Sequence, residues 1–223
     1  MGRVLDHALY RTTVAGRKNI PSGGPLIFAS NHLSYLDGPV MVGAAPRYMH
    51  VLVKQEMFKG FLGWLLRTSG QIPVDRAGDR RALQRAKAVL DRGGCIGILP
   101  EGTRGSGDAS SVSSGVAWLA LNSGAAVVPV AMLGTRVTGE HKDAVPAPGR
   151  RLQVVFGKPF MVSREPGVSG RVSMDRAAEE IRLRLAQHVQ AAIASTGQPL
   201  PQDDDPTGPD GQDPTDQHEG QQP

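Results

Sequence analysis

Cysteine is nearly absent from this 223-residue chain: Cys95 stands alone. A single thiol excludes an internal disulfide and a cysteine-based metal cluster, and makes a reducing compartment the default. Aromatic residues amount to 4%, so a core has to be built mainly from Val, Leu, Ile and Ala. Few rings remain for stacking on bases, the basic residues are scattered, and no nucleic-acid reader motif occurs, so a nucleic-acid partner is set aside. No apolar run reaches the ~20 residues that a membrane-spanning helix needs. The first residues lack the apolar core of a signal peptide, and Asp6 breaks the myristoylation pattern that Gly2 would open. The expected location is cytoplasmic, peripheral at the inner face of the cell membrane. Also missing are a G-x-S-x-G nucleophile elbow, a P-loop and a glycine fingerprint between strand and helix, which argues against hydrolase and nucleotide-binding readings.

Basic charge is present, and it is unevenly spread. Seven of the 21 acidic residues, and none of the 25 Lys and Arg, fall in residues 198–223, so residues 1–197 hold 25 basic against 14 acidic groups, a net of +11. A body that basic favours anionic partners such as phosphorylated metabolites or lipid surfaces. The last 26 residues are rich in Pro, Gly, Gln and Asp and have too little apolar surface to offset the entropy of ordering. They are expected to form a disordered acidic tail (198–223) behind one domain (1–197).

Short apolar runs alternate with amphipathic ones. Residues 25–30, 50–53, 71–74, 95–99, 126–131 and 152–156 are too short for helices and mostly rich in β-branched residues, which predicts buried strands. Helical spacing is found over 78–92, 116–121 and 173–194, the last with Ala177, Ala178, Ile181, Leu185, His188, Val189 and Ala192 on one stripe. This alternation predicts a single α/β layered domain with a largely parallel central sheet flanked by helices. In such sheets, sites form beyond the carboxyl ends of the strands. Pro129 inside a strand run predicts an edge strand or a bulge.

Four blocks carry the chemistry. After the first strand, Asn31-His32-Leu33-Ser34-Tyr35-Leu36-Asp37 sets a histidine five residues before an aspartate. Imidazole exchanges a proton near neutrality, and a carboxylate can fix its tautomer. Five residues differ by about 140° around a helix axis, so the two would meet across a loop and a helix start. Asp37-Gly38-Pro39 supplies the start signal. After the fourth strand, Pro100-Glu101-Gly102-Thr103-Arg104 offers a guanidinium suited to phosphate, a carboxylate, and a glycine that lets backbone amides approach a ligand. Gly70 through Arg76 ends a strand on a second arginine, and Val127 through Val130 forms the fourth block.

In this order and at these spacings, the blocks resemble those of the glycerolipid acyltransferase family, in particular its 1-acylglycerol-3-phosphate branch. Asn31-His32 to Asp37 looks like the family's N-H-x4-D block, and Glu101 to Arg104 like its E-G-T-R block. The resemblance spans about residues 20–160. It implies that His32 and Asp37 are the catalytic pair and that Arg76, Glu101, Gly102, Thr103 and Arg104 bind the substrate's glycerol-phosphate. It also implies an acyl-CoA or acyl carrier protein donor, a lysophospholipid acceptor, and no metal or cofactor. The sn-2 hydroxyl of 1-acylglycerol 3-phosphate is the expected acceptor and phosphatidic acid the product. Alternatives are glycerol 3-phosphate or another lysophospholipid as acceptor, or an inactive lipid-phosphate binding protein. One departure bears on the acceptor: Ser113-Ser114 precede Gly115 where many relatives carry a basic residue.

Other features are accounted for more simply. Cys95 in an apolar strand reads as an inert core thiol, Ser34 is not read as a nucleophile, and His188 reads as a satisfied core residue. The remaining histidines have no metal-ligand spacing. Met57 to Leu66 joins Phe58, Phe61, Trp64 and Leu65 to basic neighbours Lys54, Lys59 and Arg67. Two readings of this segment stay open, core packing and attachment to anionic lipid.

Overall fold

The central strands are covered on both faces, which is why their sequences run apolar without alternation. In the computed structural model, residues 9–75, 79–101, 106–141 and 143–202 are described. All five residues of β2 (Leu26–Ser30) are buried. Ile27 and Ala29 enter one hydrophobic core, while Leu26 and Phe28 enter the other. In chain order the elements are β1 (Arg11–Ala15), β2, α1 (Asp37–Ala44), β3 (His50–Lys54), α2 (Gly60–Thr68), β4 (Ile72–Val74), α3 (Arg80–Asp91), β5 (Cys95–Ile98), α4 (Ser114–Ser123), β6 (Ala126–Leu133), β7 (Arg151–Phe156) and α5 (Gly170–Thr196).

They form one seven-stranded sheet in the order β1-β7-β6-β2-β5-β3-β4. Strands β2 to β6 are parallel to one another, β7 runs antiparallel to β6, and β1 is parallel to β7. Helices α3, α4 and α5 pack on one face, where Ala82, Ala86, Ala117 and Ile181 meet Ile27 and Ile96. Helix α1 packs on the other, where Val40, Met41 and Ala44 meet Phe28 and Val128. The expected fold class therefore holds, as a largely parallel sheet between helical layers.

Each helix has a local reason. Asp79 accepts hydrogen bonds from the N–H groups of Arg81 and Ala82 and caps α3, which buries Ala82, Ala86 and Leu90 one turn apart. Ser169 caps α5, and Gly197 in the left-handed conformation ends it. Beyond that helix the chain stays on the body as far as it is described. Leu200 packs against the core beneath the C-terminal half of α5, and the N–H of Gln202 donates to Thr138.

Pro129 requires a correction. It does not lie on an edge strand, because β6 sits between β7 and β2. The Pro129 carbonyl accepts from the N–H of Gly157, so its imide nitrogen faces β7. There the antiparallel ladder breaks off at Val130–Phe156 and resumes only as an isolated bridge between Val127 and Phe160. The missing donor falls in that gap, the kind of interruption a proline in a strand needs. His188 fills the space, its Nε2 bonding the Val155 carbonyl at 2.8 Å. Burial holds its pKa below the ordinary imidazole value against that hydrogen bond. This agrees with a satisfied core histidine.

The direction of the connections locates the working edge of the sheet. From β2 the chain leaves to the α1 face; from its neighbour β5 it leaves to the α4 face. Adjacent strands whose outgoing loops part to opposite faces leave a crevice at their carboxyl ends. The loops carrying His32 and Glu101 line that crevice.

Candidate active site

Asn31 begins the site by extending the sheet with its side chain. Its Nδ2 donates to the Met132 carbonyl (3.0 Å), and its Oδ1 accepts from the Met132 N–H (2.7 Å). The fully buried amide thus takes the ladder position that a backbone would occupy. It ties the end of β2 to β6 just before the chain turns into the loop.

Asp37, at the first turn of α1, has no solvent exposure. Its Oδ2 accepts from the N–H groups of Leu33 (2.6 Å) and Ser34 (2.7 Å) and lies 2.9 Å from His32 Nδ1. Its Oδ1 accepts from the Thr135 hydroxyl at 2.6 Å. Three described donors reach its two oxygens, so the carboxylate stands as an acceptor on both. An acceptor-only carboxylate requires His32 Nδ1 to carry the proton, which leaves Nε2 as the lone-pair nitrogen. The His32 side chain is 18% exposed, enough to meet a substrate from one side. The five-residue spacing thus brings the pair into contact, across a loop and a helix start as the sequence suggests.

Glu101 faces the same loop, its Oε1 accepting from the His32 N–H at 3.3 Å. Burial pushes its carboxyl up to about 8, with the negative charges of Asp108 and Asp37 adding to the rise and the N–H groups of His32 and Ala109 opposing it. Asp108 goes the other way. Burial works to raise it, but the Ser110 N–H and the hydroxyls of Ser106 and Ser110 outweigh that and hold it below the usual value. At neutral pH Glu101 is therefore predominantly a neutral acid, able to donate as well as accept a hydrogen bond, beside an ionised neighbour.

The loop after β5 presses on the loop after β2. A Cβ on Gly107 would lie 2.4 Å from Leu33 Cδ2, and Gly107 has φ of +70°, so no larger residue fits there. Ala109 is buried and is the one described non-glycine residue with positive φ, at 58°. The Ser113 N–H closes the base of the loop on the Pro100 carbonyl at 2.8 Å. Arg76, Gly102, Thr103 and Arg104 lie outside the described residues.

The family described as acyltransferase matches residues 11–133 of the chain, more than half of its 223 residues. The chain belongs to the acyltransferase family. A chloroplastic 1-acyl-sn-glycerol-3-phosphate acyltransferase of Arabidopsis thaliana is 28% identical over 134 residues, 58% of this chain and 38% of that protein. A 1-acyl-sn-glycerol-3-phosphate acyltransferase of Pseudomonas aeruginosa is 34% identical over 126 residues, 54% of this chain and 49% of that protein. The match thus spans half or less of the length of these curated relatives. The crystal structure of the 1-acyl-sn-glycerophosphate acyltransferase of Thermotoga maritima superposes with a TM-score of 0.59 at 25% identity, covering 81% of this chain and 72% of that one. The match to the acyltransferase family takes in the loop of His32 and Asp37, Glu101 and strand β6.

Other side chains singled out in the sequence sit apart from this crevice or serve the fold. Cys95 is buried, and burial raises its thiol pKa against the opposing charge of Arg47, as expected of an inert core thiol. Ser34 spends its hydroxyl oxygen on the Leu36 N–H. Helix α2 answers the open question about Met57 to Leu66. Phe58 is buried, but Phe61, Leu62 and Trp64 are 75%, 43% and 56% exposed, and the helix buries only Gly63. That glycine is required, since a Cβ there would lie 2.2 Å from the Phe58 carbonyl carbon. No group of metal-ligating side chains occurs, and no helix is long and apolar enough to cross a membrane, among the described residues. Two contributors escaped the sequence reading: the side-chain clasp of Asn31, and Thr135, which lies beyond the fourth block and in no motif.

Proposed function

We propose that this chain is a 1-acylglycerol-3-phosphate O-acyltransferase, with residues 1–197 as its acyltransferase domain. It moves a fatty acyl group from acyl-CoA or acyl carrier protein to the sn-2 hydroxyl of 1-acylglycerol 3-phosphate and yields phosphatidic acid. The observation that carries this reading is the 2.9 Å contact of His32 Nδ1 with a fully buried Asp37, in a crevice whose family is acyltransferase. His32 Nε2 takes the proton of the acceptor hydroxyl as its oxygen attacks the thioester carbonyl. Asp37 stabilises the imidazolium that forms. The tetrahedral intermediate then expels the thiolate, the C–S bond breaks, and the imidazolium returns its proton to sulfur. No covalent enzyme intermediate is needed. Arg76 and Arg104 take the phosphate charge by family analogy, with Gly102 and Thr103 lining the same contact. Glu101, protonated at neutral pH, donates a hydrogen bond to the bound glycerol-phosphate.

Two features support a peripheral membrane partner. Helix α2 follows the carboxyl end of β3, the edge of the sheet that carries His32, and it exposes a stacked Phe61–Trp64 pair with centroids 5.7 Å apart. Lys59 and Arg67 are exposed on the same helix and its N-cap. Aromatic rings with basic neighbours suit the headgroup level of an anionic bilayer. The expected location remains the inner face of the cell membrane.

A second reading concerns the acceptor and is favoured by Ser113-Ser114 at a position that many relatives make basic. The test is a panel in which labelled acyl-CoA or acyl carrier protein is offered 1-acylglycerol 3-phosphate, glycerol 3-phosphate and other lysophospholipids. Labelled phosphatidic acid as the dominant product is expected. Preference for another acceptor would reassign the substrate, and no transfer to any of them would remove the enzyme reading.

A further inference from the structure

Asp37 works through one oxygen and is held by the other. Oδ2 meets His32 and the Leu33 and Ser34 N–H groups, all from the loop after β2. Oδ1 meets a single described side chain, the Thr135 hydroxyl, 98 residues away in sequence and as fully buried as Asp37 itself. Thr135 lies two residues past β6, whose Met132 is clasped by Asn31. The hydroxyl is therefore aimed from a strand already tied to the histidine's own loop.

We propose that Thr135 is a positioning residue for the His32–Asp37 pair. Its O–H fixes the rotation of the carboxylate so that Oδ2 stays on His32 Nδ1. It also keeps both Asp37 oxygens as acceptors, which holds His32 in the tautomer with its lone pair on Nε2. Without that donor the carboxylate is held through Oδ2 alone, and its hold on the imidazole tautomer is looser. The other titratable groups facing this point are His32 on the same loop and Glu101 and Asp108 from the loop after β5. The described hydrogen bond of Glu101 is made with the His32 N–H through Oε1, and Asp108 is engaged by Ser106 and Ser110, so among the described residues neither carboxyl takes the place of the hydroxyl at Oδ1. The inference rests on the reading of His32 as general base for the mechanism, but its geometry stands without it.

The test compares Thr135→Val, which keeps the shape and removes the donor, with Thr135→Ser, which keeps the donor. Thr135→Val is expected to lose about 10- to 100-fold in kcat with little change in either KM, the order expected when an orienting contact is lost. Thr135→Ser should restore wild-type turnover to within about threefold. Nitrogen-15 NMR of the His32 ring, assigned by its loss in His32→Ala, reads the tautomer without relying on activity. The wild type should carry its proton on Nδ1, and Thr135→Val should show a mixture. A folded Thr135→Val with unchanged kcat and tautomer overturns the proposal. If that variant does not fold, Thr135→Cys places a weaker donor at the same point and should show the same changes at smaller amplitude. A Cys variant indistinguishable from wild type overturns the proposal equally. If the acyltransferase reading itself fails, turnover vanishes from every variant while the NMR comparison still decides.

Discussion

Asp37 and Trp64 break the same rule in opposite directions. One is a carboxylate with no exposure at all, the other a large aromatic with 56% of its surface exposed. Burial of a charge is costly unless it is compensated, and Asp37 is compensated by donors on both oxygens. Exposure of Trp64 is compensated, among the described residues, by its stacking on Phe61. The first violation is closed and looks inward to chemistry; the second is open and looks outward to a surface. Departures from the usual partition of polar and apolar side chains are where function is sought.

The difference can be broken from the chemical side first. His32→Ala should cut acyl transfer by a factor on the order of 10³ or more, with the melting temperature within a few degrees of wild type; turnover near wild type would sink the mechanism. Asp37→Asn should lose almost as much activity and also stability, about 1–3 kcal/mol by urea unfolding, because an amide nitrogen would face donors it cannot accept from. From the surface side, Phe61→Ser with Trp64→Ser should leave stability within about 0.5 kcal/mol, as exposed positions do. The same pair of changes should weaken sedimentation with anionic vesicles about tenfold while leaving transfer to an acceptor in detergent micelles intact. Undiminished vesicle binding would show that α2 is not the docking element. A separate handle is pH dependence. The Glu101 carboxyl is raised in the fold to about 8 from 4.5, so the folded chain binds the extra proton. Its contribution to stability is fully present below about 4.5 and is lost as pH rises through about 8. Glu101→Gln should flatten that slope in denaturation curves measured across the window.

The strands were legible because burial on both faces leaves an unbroken apolar run, and the helices α3 and α5 because their stripes repeat every turn. β1 was not: RTTVA is an edge strand whose side chains alternate between exposed and half-buried, and nothing in it distinguishes a strand from a loop. The start of α1 was legible in Asp37-Gly38-Pro39, where the helix does begin. The His32–Asp37 pair was legible because both residues lie in one short segment. Thr135 and the clasp of Asn31 on Met132 were not, because contacts across 98 and 101 residues have no local spacing to read. Of the two alternatives that Pro129 offered, an edge or a bulge, the edge is excluded, and the ladder carries two residues of β6 opposite three of the partner segment between Val130–Phe156 and Val127–Phe160.

The Asn31 clasp has a temporal consequence. A chain emerging from the ribosome presents His32 and Asp37 early, yet the strand that Asn31 grips and the hydroxyl that holds Asp37 follow about a hundred residues later. At typical synthesis rates of ~5–20 residues per second, the pair waits several seconds without its supports. Long-range contacts of this kind form late and slow the search for the native state. Until β6 joins the sheet, the His32–Asp37 contact therefore lacks both of its long-range supports.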